Sequence, residues 1–308
     1  MLFRTPIATR ASRITSRAIR QLSLFAIIVG AFLFAPAAFA QESSPAGEAQ
    51  PRDIRILAPY AGLVRSVVDA GAGDHDLELK DTDLMLGLYA QWIRPGAFQA
   101  NVFAYHAPDV NYTALWGLHS NLDFYFNAGP VQNLVFGGGL ELISLDIDAG
   151  DNIEMTSNGT TAALQAFELT NLISVPFLRA GKQWQVGSGP LEAVIFPWAG
   201  AELLMQRGEV SFRRPDGPPG TFVAVEEDID STDPKALSGL NLRLSLFRFL
   251  QLDGKYSLAF DTSDLHQRAS LMANLFFTRN LGVSYRWSYT ETGAGSTLYN
   301  IFGVVVTW

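Results

Sequence analysis

The chain contains no cysteine, which removes disulfides, thiolate metal sites and cysteine nucleophiles from consideration. Histidine is scarce, at four residues in 308, and no metal-spaced His/Cys set, Gly-rich phosphate loop or internal repeat is present; neither a metal nor another cofactor is expected. After residue 40 there is no run of 18 apolar residues, so that part of the chain offers no transmembrane helix. Positive charge is in deficit: the whole chain carries −8, and without the five arginines and no acids of residues 1–40 it would carry −13. Affinity for phosphate backbones comes from Lys and Arg, so a nucleic-acid partner is not expected.

What is present begins with residues 1–40. Arg4, Arg10, Arg13, Arg17 and Arg20 precede an apolar run from Leu22 to Phe34, and Ala38-Phe39-Ala40 is a small-x-small cleavage site. This is the layout of a secretory signal peptide, and the apolar run is too short for a membrane-spanning helix. Residues 41–57 begin rich in Ser, Pro, Glu and Ala and read as a flexible periplasmic lead-in. Residues 58–308 carry a different pattern.

That pattern is alternation. Leu240, Leu242, Leu244 and Leu246 interleave with Asn241, Arg243 and Ser245; Leu281, Val283, Tyr285, Trp287 and Tyr289 interleave with Ser284, Arg286, Ser288 and Thr290. Each run is a strand with one apolar and one polar face, whereas a helical period would scatter the same residues all round. Twelve such strands are predicted, at 58–68, 82–93, 97–107, 113–126, 131–146, 162–185, 190–206, 237–247, 250–261, 266–277, 280–290 and 297–308. Ten is the alternative, if the first strand or the 162–206 hairpin drops out. Pro176 is expected at a bulge or an edge of pairing, because it has no N–H to donate. Gly137-Gly138-Gly139, inside a strand, reads as a place of sheet curvature or close packing.

The connections alternate too. Arg94-Pro95-Gly96, Asn127 to Pro130, Gly187 to Gly189, Arg248-Phe249 and Arg279-Asn280 are short, while 69–81, 147–161 and 207–236 are long. A barrel has short turns on one side of the membrane and long loops on the other. Trp92, Phe98, Phe126, Phe277 and Trp308 fall at one set of strand ends, with Trp116, Phe260, Tyr289 and Phe302 toward the other, where interfacial aromatics belong.

Over nearly its whole length after residue 40, the chain resembles bacterial outer-membrane β-barrel proteins as a class. The resemblance rests on the signal peptide, the alternating strands, the short-turn and long-loop asymmetry, and a final strand with Phe302, Val304, Val306 and Trp308 on one face. It implies an all-β, antiparallel, up-and-down transmembrane barrel in the bacterial outer membrane. It also implies outer-membrane lipids and lipopolysaccharide as surroundings, and the barrel assembly machinery as the reader of that final strand. A passive channel for small solutes or a structural envelope protein is the functional expectation.

By phase, the polar faces become the lumen. The lumen-lining candidates are Arg65, His119, Asn121, Asp123, Glu141, Glu168, Glu192, Glu202, Arg243, Asp253, Lys255 and Arg286, with acids ahead and a cation-preferring pore as one reading. Cross-strand ion pairs plugging a narrow barrel are the other. A surface hydrolase acting on lipid or peptide is the alternative function, resting on His106 near Asn111, on His119, or on His266 with Asp261 and Asp264; no recognised hydrolytic motif surrounds any of them, and no catalytic residue is assigned. Asp146, Asp148, Asp151 and Glu154, and Glu226, Glu227, Asp228, Asp230 and Asp233, are expected in two solvated acidic loops.

Overall fold

The computed structural model describes residues 53–308, apart from 73–74, 109–112, 129–130, 149–150, 158–159, 189, 216–220, 248, 262–264 and 293–294. The expected signal peptide, most of the lead-in, and Asn111 and Asp264 lie outside the described residues. Fourteen strands make up the described fold. They are β1 (Ile54–Ala72), β2 (His75–Arg94), β3 (Phe98–Ala107), β4 (Thr113–Ala128), β5 (Val131–Asp148), β6 (Asp151–Ser157) and β7 (Thr160–Lys182). The chain continues through β8 (Trp184–Ser188), β9 (Leu191–Pro215), β10 (Phe222–Leu246), β11 (Leu250–Phe260), β12 (Leu265–Phe276), β13 (Leu281–Thr292) and β14 (Gly295–Thr307).

Twelve of these close into one antiparallel ring, in the order β1-β2-β3-β4-β5-β7-β9-β10-β11-β12-β13-β14 and back to β1. Of the other two, β6 pairs only with β7, and β8 continues β7 past Gln183 to pair with the start of β9. At the seam, Arg55 and Trp308 exchange both backbone hydrogen bonds at 3.0 Å. Closure leaves no sheet edge, which is what a bilayer requires of strands.

Two expectations about the wall need correction. The first strand starts at Ile54 rather than residue 58. The long connections 69–81 and 207–236 are strand for most of their length, with the ladders continuing to Ala72↔His75 and Pro215↔Phe222. Glu226, Glu227, Asp228, Asp230 and Asp233 therefore sit on β10, and Asp146 and Asp148 on β5, with Asp151 and Glu154 on β6. The physical reason is that alternation reports a strand only where its two faces meet different media. Beyond the bilayer both faces can be polar, and the backbone pairing carries on without a signature.

Pro176 behaves as its chemistry dictates, and without a bulge. It has a partner in β5, Leu140, but the β7–β9 ladder skips from Ser174↔Met205 to Phe177↔Glu202 and resumes in the same register. The missing N–H removes bonds on one side only.

The outward face is apolar over a band and polar above it. On β9 the outward residues run Ala199, Ala201, Leu203 and Met205, then turn to Arg207 and Glu209. Within the band, large side chains stand exposed, Leu178 at 72% and Phe302 at 66%, while Ile301 beside Phe302 is at 0%. Leucine and phenylalanine left this exposed would be costly in water; facing lipid they are covered. Of the nine aromatics assigned to the two rims, seven are on the outward face of their strands, and Phe277 and Trp308 stand exposed just past the ends of β12 and β14.

Candidate functional site

The inward face is only partly polar, and its composition changes with depth. Toward the rim with the long hairpins it is an apolar core: Val64, Met85, Leu115, Ile147, Phe167 and Leu169 are all buried there. The backbone of β6 approaches β2, four places round the ring from β7, so the β6–β7 hairpin leans across this mouth. Bare glycines let large rings lie flat on the inner wall. A Cβ on Gly117 would fall 2.2 Å from the Tyr105 ring, and one on Gly87 2.9 Å from Phe103.

At mid-depth the charges appear, and they are tied together across the lumen. Arg268 on β12 pairs with Glu202 on β9 and stands 3.7 Å from Glu141 on β5, five places away round the ring. Arg179 on β7 binds Asp123 on β4 at 2.6 Å. Arg243 and Asp253, facing each other on β10 and β11, pair at 2.6 Å, and Lys235 reaches Asp261 at 2.8 Å. Arg286 on β13 has no carboxylate partner among the described residues; its guanidinium lies 3.9 Å from the centre of the Phe103 ring and 5.9 Å from that of Tyr299. Burying a charge is expensive unless it is paired, and these contacts offset that cost.

Nearer the tight-turn rim the wall is lined with amides and hydroxyls. Gln91, Asn101 and Asn121 stand side by side in register on β2, β3 and β4. Tyr60 donates to Ser284, which donates to Asn274 on β12. Among the described residues, Gln91 Oε1, Asn101 Nδ2, Asn121 Oδ1 and Asn274 Nδ2 are buried with no hydrogen-bond partner. Buried amides in native proteins are satisfied by protein or by ordered water.

Two chambers occupy the middle and lower lumen. The upper, about 110 Å³, lies among Phe103, His119, Glu141, Lys255, Arg268 and Arg286; the lower, about 50 Å³, among Asn121, Asp123, Tyr125, Arg243 and Asp253. Arg179, Asn241 and Lys255 border both. The constriction between them is therefore made of side chains.

Most sequence-assigned lumen candidates are on the inward face: His119, Asn121, Asp123, Glu141, Glu202, Arg243, Asp253, Lys255 and Arg286. Glu192 has inward phase at the tight-turn end of β9, opposite Ser245. Arg65 and Glu168 are placed differently. Both are exposed on the outward face, Arg65 in phase with Leu63 and Glu168 in phase with Leu172. They stand above the apolar band, where the outside is polar and the inside is greasy, so choosing the inner face by polarity selects the wrong one. Lys235, Arg179 and Arg268 were missed. Arg179 is eleven residues from Glu168 on one strand, and an odd spacing cannot put both inside.

This changes the charge of the lumen. With Arg65 and Glu168 outside, and Arg179, Arg268 and Lys235 inside as partners of Asp123, Glu202 and Asp261, the carboxylates behind the cation-preferring reading are largely paired. The histidines separate as well: His106 is outward and exposed, while His119 and His266 point inward.

The architecture is that of an outer-membrane β-barrel: an even ring of antiparallel strands, tight turns at one rim, long hairpins at the other, and an apolar outer band. No family model matches the chain, and no curated protein matches it. Solved structures that resemble it include the translocator domain of the autotransporter NalP from Neisseria meningitidis, at 13% identity over 93% of this chain and 97% of that one, with a TM-score of 0.47. The β domain of the Bordetella autotransporter BrkA follows at 12% identity, covering 82% and 98%, with a TM-score of 0.39. An outer-membrane channel from Pseudomonas putida F1 gives 12%, 87% and 100%, with a TM-score of 0.32. Likeness at this level leaves function to the barrel's own residues.

Proposed function

We propose that the protein is a narrow passive channel for small solutes in the bacterial outer membrane, with Trp308 and the tight turns in the periplasm and the long hairpins outside. The observation that carries this is the in-register strip of Gln91, Asn101 and Asn121, each with a buried amide atom lacking a partner among the described residues, which meets the lower chamber at Asn121; Asn274 on β12 adds a fourth such atom. Such groups need water, and a wall that holds water at this depth is a path for small polar solutes. On this reading the outward, lipid-facing Phe302, Val304, Val306 and Trp308 serve the assembly machinery first and the bilayer afterwards. Outer-membrane lipids, with lipopolysaccharide against the polar outward rim at Arg65 and Arg207, complete the partners.

A second reading, a structural envelope barrel, is favoured by one observation: Arg268 spans the lumen to two carboxylates and narrows it. Single-channel recording in planar bilayers separates the two. The channel reading expects small, discrete conductance steps from protein that also shows heat-modifiable gel migration. Correctly folded protein that leaves the bilayer electrically silent would overturn it in favour of the structural barrel.

A further inference from the structure

The upper chamber has an excess of cations that its own carboxylates do not consume. Arg179 is committed to Asp123, and Arg268 to Glu202 with Glu141 close by. Lys255 and Arg286 face the same chamber, and among the described residues neither is in an ion pair. The register brings hydroxyls to the same place: Lys255 is opposite Ser270, Ser270 is opposite Ser288, and Ser288 is the inward neighbour of Arg286 on β13.

Rings line the same chamber, and Arg286 rests on one of them, its guanidinium 3.9 Å from the centre of Phe103. Phe103 and Tyr105 are 5.4 Å apart between ring centres, Tyr299 lies 5.6 Å from Phe103, and Trp198 and Phe177 border the same space. Two cations and two hydroxyls beside a set of rings recognise a molecule with one anionic end and one apolar end. Inorganic anions would satisfy only the first half, and uncharged hydrocarbons only the second.

We propose that the upper chamber is a binding site for a small organic carboxylate, its carboxylate held by Lys255 and Arg286 with the Ser270 and Ser288 hydroxyls, and its apolar body laid against Tyr105, Phe177 and Trp198. This rests on the channel reading only in requiring that solute reach the chamber from water. A bound carboxylate supplies one negative charge between those two cations. The site also gives a solute a resting place on its way through, selecting anionic over cationic passage.

The test uses the purified, folded barrel in detergent micelles and benzoate as the probe, followed by titration calorimetry. Benzyl alcohol supplies the same body without the charge, and inorganic phosphate the charge without the body. Saturable benzoate binding is expected, at least tenfold tighter than either control. Lys255→Gln and Arg286→Gln should each weaken it tenfold or more while the heat-modifiable migration persists; Lys255, being in no ion pair, is the variant safest for folding. Absence of saturable benzoate binding would overturn the proposal. So would equal binding of benzyl alcohol or phosphate, or indifference to Lys255→Gln. Binding by a protein that is silent in bilayers would retain the site and remove the channel reading, so the two fail separately.

Discussion

Arg179 on β7 donates three hydrogen bonds to the carboxylate of Asp123 on β4, across the bare backbone of Gly137 on the strand between them. The pair is buried, and it exists because position 137 has no side chain: a Cβ there would lie 2.0 Å from Asp123 Oδ1. Gly137→Ala must push the carboxylate aside, with an expected cost of about 1–3 kcal/mol from overpacking. Asp123→Ala should cost more, about 3–5 kcal/mol, because it leaves a buried guanidinium without its counter-charge. Equilibrium urea unfolding in lipid bilayers would rank them. A larger effect from Gly137→Ala than from Asp123→Ala would show that the glycine matters for something other than the pair.

Arg268 narrows the lumen, since it pairs with Glu202 on β9 and stands 3.7 Å from Glu141 on β5. Arg268→Ala removes the strut and its positive charge from beside Glu141 and Glu202. Conductance should rise, and reversal potentials in a potassium chloride gradient should shift toward cations. Arg268→Lys keeps the charge with a shorter, non-forked head and should fall between the two. Unchanged conductance and selectivity in both variants would place the constriction elsewhere.

The wall was legible in the sequence and the upper lumen was not, for one reason. Within the bilayer a strand separates lipid from interior, so Leu240, Leu242, Leu244 and Leu246 could be assigned outward from polarity alone. Above the band the media exchange places. Glu168 and Arg65 face water on the outside, while Phe167, Leu169 and Val64 fill the inside, and the same rule then inverts. Arg179 and Arg268 were hidden by a different effect. Their partners Asp123, Glu141 and Glu202 are on strands distant in sequence, and which charges meet across a barrel depends on strand register, which no local pattern carries.

The long hairpins were equally silent. Residues 207–236 look like an acidic loop because β10 carries Glu226, Glu227, Asp228 and Asp230 with few apolar residues between, yet the β9–β10 ladder runs unbroken to Phe222. Pairing needs only backbone groups.

At the tight-turn rim, outside the membrane, Asp53 accepts hydrogen bonds from Arg94 Nε and Nη2 at 3.0 Å and from Trp92 Nε1 at 3.1 Å. The Arg94 hydrogen bonds are the main reason its carboxyl is held below the ordinary value of 3.8. A carboxyl depressed by folding stabilises the fold at pH above 3.8, and that contribution is lost as pH falls through the lowered value. The clasp is partly solvated, so Asp53→Asn should cost only about 0.2–1 kcal/mol at neutral pH. Carbon-detected NMR titration of the Asp53 carboxyl should give a midpoint below 3.8 in the native protein and a return toward 3.8 in Arg94→Gln. An unshifted midpoint in the native protein would mean the clasp does not form in solution.

At the other rim the sign is opposite. Glu209 on β9 faces Asp228 across the ladder and shares a side-chain hydrogen bond with Glu226, with Glu168 on β7 adding to the crowding. The hydrogen bond to Glu226 is the largest cause of a raised Glu209 carboxyl, followed by repulsion from the same group. A carboxyl raised by folding favours the protonated hairpin: the repulsion is complete at pH above the folded value and is relieved as pH falls through it toward the unfolded one. Acidification should therefore slow amide hydrogen exchange in 207–215 and 222–230, after correction for intrinsic rates, while the barrel wall stays unchanged. Glu209→Gln should produce the same protection at neutral pH and abolish most of the pH response. If the variant exchanges like the native protein at neutral pH, the repulsion is too well screened by solvent to matter, and the hairpin is held by its backbone ladder alone.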